Sequence, residues 1–176
     1  MSERKFLPVG IAIVTISDTR SLDNDKSGQT LVDRLESEGH RLAGRAIVKD
    51  DVRTIRTCVR KLCKSTFVDV IISTGGTGLT GRDVTIEALR PLFDKEIEGF
   101  GVLFHMMSFQ KIKTSTVQSR ATAGLINGKY VFCLPGSPGA CRDGWDEILK
   151  PQLDYRNKPC NFIEIMPRLD EHLRRK

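Results

Sequence analysis

Nowhere does the 176-residue chain hold an apolar run approaching the ~20 residues that a membrane-spanning helix needs. Its start, Met1-Ser2-Glu3-Arg4-Lys5-Phe6, lacks the apolar stretch and small-residue cleavage site of a secretion signal. Membrane insertion and secretion are therefore not expected, and the cytoplasm is the expected compartment. Cysteine is sparse: Cys58, Cys63, Cys133, Cys141 and Cys160 form no C-x-x-C pair and are odd in number. That suits small hydrophobes in a reducing compartment better than a disulfide framework. Histidine is scarcer still, with His40, His105 and His172 only, so a zinc site would need ligands from distant segments. Aromatic residues make up 6% and do not interleave with basic ones, which leaves no stacking platform for single-stranded nucleic acid. The excess of base is small, 28 Lys+Arg against 22 Asp+Glu, for a net charge of +6. Those charges are spread along the chain (Arg34, Arg45, Arg60, Lys64, Arg90, Lys111), with one short cluster at Arg174-Arg175-Lys176. Solvated basic faces, or the handling of phosphorylated small molecules, explain this as well as nucleic acid would.

What is present is a core. With 39% hydrophobic residues at this length, one domain over residues 1–176 is expected, with 151–176 as a packed tail or an arm reaching a neighbouring subunit. Val9-Gly10-Ile11-Ala12-Ile13-Val14-Thr15-Ile16-Ser17 is almost continuously apolar, as a strand covered on both faces should be. Leu31, Val32 and Leu35 then fall at helical spacing and Gly39 closes that helix, a position that favours the left-handed conformation. A second strand is expected over residues 40–48, followed by a helix through Ile55, Val59 and Leu62, and a third strand over 68–73. Residues 84–107 read as helices broken near Pro91 and Gly99. Residues 116–126 and 129–134 flank Asn127-Gly128, a strong hairpin signal, and a helix follows with Cys141, Trp145 and Ile148 on one face. The alternation predicts a doubly wound α/β fold: a mostly parallel sheet, helices on both faces, and a β-hairpin at one edge.

In such sheets, ligands sit outside the carboxyl ends of the strands. That rule selects Ser17-Asp18-Thr19, Asp50-Asp51, residues 74–83 and residues 135–139. Gly76-x-Gly78-x-x-Gly81 satisfies a dinucleotide fingerprint in spelling, but it follows the third strand instead of the first. It also nearly fits a phosphate-binding loop, except that Arg82-Asp83 stands where Lys and Ser or Thr belong, and an Asp would repel bare phosphate. A carboxylate beside a phosphate cradle makes sense when Mg²⁺ lies between them, and Asp50 would supply a second one on the same rim. The alternative is that both acids merely cap helices, as Asp does well.

These residues carry a family resemblance. Ser73-Thr74-Gly75-Gly76-Thr77-Gly78 with Arg82-Asp83-Val84-Thr85 resembles the signature of the molybdopterin-binding family of molybdenum cofactor biosynthesis. So do Ile16-Ser17-Asp18, Asp50-Asp51, Gly99-Phe100-Gly101, Ser119-Arg120 and Leu134-Pro135-Gly136, over residues 9–153 in all. The stretch from Gly99-Phe100-Gly101 through Thr114-Ser115-Thr116-Val117-Gln118-Ser119-Arg120, with Arg156-x-x-Pro159-Cys160-Asn161-Phe162, is most similar to the family's protein B branch.

The resemblance implies a subunit that assembles as trimers or pairs of trimers, and that adenylylates the terminal phosphate of molybdopterin with Mg-ATP. It makes Asp50 and Asp83 the catalytic and metal-binding acids. Ser17, Asp18, Thr74, Gly75, Gly76, Thr77, Gly78, Ser119, Pro135, Gly136 and Ser137 would border the substrate. Mg²⁺, ATP and molybdopterin are then the expected small molecules, and other enzymes of the same pathway are possible partners; nucleic acid and membrane are not. Cys133 stands where adenylyltransferases of the family commonly carry Asn, which leaves a second reading open, a molybdopterin-binding or scaffold protein without turnover. Trp145 and Cys133 are expected in the core, and His105 is expected as a helix residue near a subunit contact instead of a base.

Overall fold

The computed structural model describes residues 4–171; His172 and the Arg174-Arg175-Lys176 cluster lie outside the described residues. Six strands form one open sheet in the order β2-β1-β3-β6-β5-β4. They are β1 Gly10–Ile16, β2 Arg41–Val48, β3 Val70–Thr74, β4 Lys95–Glu96, β5 Thr122–Ile126 and β6 Lys129–Leu134. β1 pairs in parallel with β2 and β3, and β3 with β6, while β5 runs antiparallel to both β6 and β4. The doubly wound, mostly parallel α/β architecture is thus the one the alternation of elements called for.

Alternate residues of the central strands feed two separate cores. Ile11, Ile13, Val70, Ile72, Phe132 and Leu134 face one side, where α1 (Lys26–Ser37), α4 (Glu98–Ile112) and α5 (Pro138–Gly144) cover them. Ala12, Val14, Ile16, Ile71, Val131 and Cys133 face the other, under α2 (Val52–Cys63) and α3 (Thr85–Leu89). Strands buried on both faces explain the unbroken apolar runs. Gly39 ends α1 at φ +89°, and Asn127-Gly128 turn the hairpin with both φ values positive, 49° and 73°, as a type I′ turn demands. Trp145 and Cys141 are fully buried on the helical face that spacing assigned to them, and α5 runs on into a π-helical turn over Trp145–Leu149. The segment after Pro151 folds back on the core, burying Leu153 and Ile163 and directing the Tyr130 hydroxyl to the Phe162 carbonyl at 2.9 Å. Of the cysteines, Cys63, Cys133 and Cys141 are buried small hydrophobes, whereas Cys160 is exposed.

Three local readings need correction. The strand expected over residues 116–126 begins only at Thr122; residues Lys113–Gln118 form a 3-10 turn instead. β5 stops pairing at Thr122–Cys133 because its partner runs on into Pro135, and β-branched residues without a partner strand have no reason to extend. Second, Gly99 does not break a helix but lies in the first turn of α4, and Gly101 in the same turn lets that helix close on the Ala121 carbonyl, where a Cβ would stand 2.8 Å away. Third, a two-residue strand, β4, lies outside the hairpin. Phe93 packs on the bare face of Gly124, and the amides of Asp94 and Ile97 donate to Leu125 and Ala123, both at 2.7 Å. Nothing in the composition of Lys95-Glu96 announces a strand; the contact of Phe93 with Gly124 makes it one.

His40, just ahead of β2, is 6% exposed between the Phe6 and Trp145 rings, and its Nδ1 accepts the Val9 amide at 3.3 Å. Burial holds its pKa below the ordinary 6.5, against the opposing charges of Asp154 and Glu38. The folded protein resists a proton that the unfolded chain takes up below about pH 6.5, so the contribution of His40 is present above that pH and is lost as pH falls through it. The melting temperature should therefore drop between pH 7 and 5.5. His40→Asn should melt lower at pH 7.5 but show a shallower drop over that window, as a thermal series at fixed ionic strength would measure.

Candidate functional site

Because β1, β2, β3 and β6 run in one direction, the loops that follow them share one edge of the sheet. The chain passes from β1 outward to β2, then back across β1 to β3. The ends of β1 and β3 therefore flank a topological switch point, where open α/β sheets form their ligand crevice. Ser17-Asp18 leave β1 there, and the glycine loop leaves β3.

The glycines of that loop each answer to a particular neighbour. Gly75 has φ +100°, and a Cβ on it would lie 2.3 Å from the Ile16 carbonyl oxygen. Its amide donates to the Leu134 carbonyl at 3.1 Å, the Thr74 hydroxyl donates to the Pro135 carbonyl at 2.9 Å, and a Cβ on Gly136 would come within 3.1 Å of the Gly75 Cα. Three loops thus meet backbone to backbone. Gly76 has φ +62°, and its Cβ would stand 2.4 Å from both Asp50 Oδ1 and Thr85 Oγ1. A Cβ on Gly78 would stand 2.8 Å from the Asp83 carboxylate. The bare positions are where two carboxylates lie on the turn.

Those carboxylates differ in surroundings. Asp50 is half-buried, and its Oδ1 is buried with no hydrogen-bond partner among the described residues. Burial first, then the charges of Asp18 and Asp83, hold its pKa above the usual carboxylate range. Asp83 accepts from the Thr80 hydroxyl at 2.6 Å and the Thr80 amide at 2.9 Å; the hydroxyl bond is the main reason its pKa lies below that range. Asp18 is exposed, pairs with Arg82, and accepts the Asp50 amide at 3.2 Å; the Arg82 bond is the chief cause of its lowered pKa. Neither Asp50 nor Asp83 caps a helix. That task falls to Asp51, which accepts the Thr54 amide at 2.7 Å at the start of α2, while Asp83 closes the turn before α3.

Of the remaining sequence-selected residues, Ser17 and Ser137 have their hydroxyls already engaged in turns. Ser17 accepts the Thr19 and Arg20 amides, both at 3.2 Å, and Ser137 accepts the Ala140 amide at 3.1 Å as the cap of α5. Thr77 is buried. The ring of His105 lies between two backbone acceptors, Nε2 at 2.8 Å from the Ser119 carbonyl and Nδ1 at 2.6 Å from the Gly101 carbonyl. Cys133 is fully buried on the α2/α3 side, its thiol pushed up to about 12 by burial, and it does not reach the rim. The sequence signature includes Thr85 without giving it a role, and the structure supplies one: its buried hydroxyl donates to the Gly75 carbonyl at 2.8 Å. Sequence reasoning passed over Ser27, which joins α1 to the Gly136 carbonyl at 2.9 Å, because a lone hydroxyl that serves only a distant carbonyl leaves no motif.

Among the described residues, no three His, Cys, Asp or Glu side chains stand close enough to hold a metal ion by themselves. The donor set still fits a hard cation in one respect: Asp50 Oδ1 is a buried anionic oxygen with no protein donor, which costs free energy unless something fills the gap. Mg²⁺ commonly takes one or two carboxylates and completes its shell from phosphate and water. No helix among the described residues is long and apolar enough to cross a membrane.

Known proteins share this fold. Residues 12–155 match the family model described as "Probable molybdopterin binding domain". Molybdenum cofactor biosynthesis protein B of Escherichia coli K12 is 49% identical over 158 residues, covering 90% of this chain and 93% of its own. A crystal structure of a molybdenum cofactor biosynthesis protein B superposes with a TM-score of 0.85 at 42% identity, covering 97% of this chain and 99% of that one. The tungsten cofactor synthesizing protein MoaB from Pyrococcus furiosus superposes at 0.73 with 36% identity, covering 81% and 91%. With four-fifths of its length inside that family model and 49% identity to a protein B over 158 residues, the chain belongs to the molybdopterin-binding domain family of molybdenum cofactor biosynthesis.

Proposed function

We propose that the chain adenylylates molybdopterin. An oxygen of the pterin's terminal phosphate forms a bond to the α-phosphorus of ATP, the bond from that phosphorus to the β-phosphate oxygen breaks, and pyrophosphate leaves. The observation that carries this reading is the Asp50 carboxylate, seated against Gly76 without a donor and among the charges of Asp18 and Asp83. A fold with only structural needs would replace such an oxygen with something neutral. Mg²⁺ bound there would supply charge neutralisation to the nucleotide phosphates. The chain's own part is positioning: the attacking group belongs to the substrate, so no protein nucleophile is required. Asp50 and Asp83 hold a fixed pair of acidic oxygens beside the glycine turn, and the Pro135-Gly136 turn, packed on Gly75, borders the pterin.

We also propose that the active form is a symmetric trimer, or a pair of trimers, built through α4. That helix buries Phe100 and Phe104 inward yet exposes Val102, Leu103, Met106, Phe109 and Ile112, with Val117 73% exposed just beyond it. An exposed apolar patch on this scale marks a contact surface. Light scattering should give three or six times the chain mass, and Met106→Glu should shift the protein towards monomer; a monomeric wild-type protein at micromolar concentration would remove this part of the reading.

Asp50→Asn and Asp83→Asn test the chemistry. Each should lower adenylylation at least ~100-fold, in keeping with several kcal/mol of metal-borne stabilisation, while molybdopterin binding by calorimetry changes little. Stability should separate the two. Asp50→Asn removes a charge that has no donor and should gain about 1 kcal/mol, or ~2–4 °C in melting temperature. Asp83→Asn weakens both bonds from Thr80 and should melt lower. Full activity with lost stability in both variants would make the acids structural. Binding of molybdopterin without any turnover by the wild-type protein would instead favour the scaffold reading.

A further inference from the structure

Arg120 stands just before β5, at a distance in sequence from every acid of the site, yet its guanidinium reaches the glycine loop. Nε donates to the Thr77 carbonyl at 3.0 Å, and Nη2 donates to the Asp83 carbonyl at 3.3 Å. The outer edge of the same group forks onto Glu87 of α3: Nη2 donates to Oε2 at 3.2 Å and Nη1 to Oε1 at 2.5 Å. Thr77 and Asp83 are the two ends of the segment that contains Gly78 and the Thr80–Asp83 turn. One rigid plane therefore brackets both ends of that segment, and Glu87 fixes the plane's orientation. A guanidinium carries five donors in a planar fork, whereas a lysine ammonium is a compact point donor that cannot span two carbonyls and a carboxylate in this way. The backbone from which Arg120 departs is itself anchored, since His105 ties the Ser119 carbonyl to α4 at 2.8 Å.

We infer that Arg120 is a positioning residue that holds residues 77–83 in the shape that seats the Asp83 carboxylate against Gly78, with Glu87 as its orienting partner. The inference rests on Asp83 being an acid of the working site, as proposed above. It adds a second support for that acid, independent of Thr80. Thr80 fixes the carboxylate from inside the turn, and Arg120 fixes the turn itself from the neighbouring hairpin. It also gives the Ser119-Arg120 pair a physical division of labour: Ser119 is the tethered backbone, and Arg120 the clamp that leaves it.

The test compares Arg120→Lys, Arg120→Met and Glu87→Gln with the wild-type protein in two measurements. The first is hydrogen–deuterium exchange in the ligand-free protein. The Thr80 and Asp83 amides, bonded to the Asp83 carboxylate and the Thr80 carbonyl, should exchange at least tenfold faster in both Arg120 variants. Exchange in β1 and β3 should stay unchanged. The second is steady-state adenylylation, where kcat should fall at least tenfold in both Arg120 variants with molybdopterin affinity within twofold, and Glu87→Gln should show a smaller loss of the same kind. Exchange at wild-type rates in Arg120→Met overturns the inference whatever happens to turnover, and so does faster exchange with unchanged kcat. Wild-type behaviour of Arg120→Lys in both measurements overturns it too, by showing that charge alone suffices. A wild-type protein that binds molybdopterin without turning it over removes the adenylyl-transfer reading, and the exchange arm then decides the role of Arg120 by itself.

Discussion

The packing of two carboxylates onto the bare backbone of one turn is the constraint from which the site's composition follows. Asp50 occupies the space where a side chain of Gly76 would begin, and Asp83 the space beside Gly78. In a phosphate-binding loop, glycines are usually needed so that an anionic ligand can approach the main chain. Here protein carboxylates make that approach, so the glycines and the acids are one device written in two separate segments. The device requires the ends of β2 and β3 to stay in register at the sheet's carboxyl edge, although the two strands do not pair. β1 lies between them and aligns both, Ile16 with Val48 on one side and Thr15 with Thr74 on the other.

The sheet's order carries the consequence further. Inserting β6 beside β3 brings Leu134 level with Thr74, and the Pro135-Gly136 turn then falls onto Gly75. Gly75 is therefore pressed between the Ile16 carbonyl and Gly136, at a φ of +100° that L side chains rarely adopt. The hairpin that delivers β6 also delivers Arg120, because β5 must begin where pairing with β6 ends. The same chain reversal thus sets one wall of the crevice and clamps the loop opposite.

Much of this was legible in the sequence, and what was not has a common cause. The apolar runs of β1 and β3, the left-handed Gly39 and the Asn127-Gly128 turn depend on neighbours within a few residues, and each stood where its local chemistry put it. The rim segments were legible too, because strand ends and glycines are visible without knowing what faces them. β4, the 3-10 turn over Lys113–Gln118 and the intact first turn of α4 were not, because each depends on a partner far along the chain: Gly124 for Phe93, the end of β6 for β5, the Ala121 carbonyl for Gly101. The choice between Asp50 and Asp51 as cap was equally hidden. Two adjacent acids before a helix look alike in sequence, and only the Thr54 amide shows which one the helix uses.

That division between Asp51 and Asp50 bears on what the site is for. A helix start stabilises an acid by offering its free amides, and Asp51 takes that offer. One residue earlier, Asp50 receives no donor on its buried oxygen and stands among like charges. Arg82 offsets this only in part, since that guanidinium is bonded to Asp18. The chain as a whole is basic, with a net charge of +6, so the local concentration of acid cannot be a by-product of composition. A half-buried carboxylate whose inner oxygen has no donor costs stability that a single Asn would recover. Its placement makes physical sense when the missing positive charge arrives with a ligand, and the ligand that a molybdopterin-binding domain is built to take carries a phosphate.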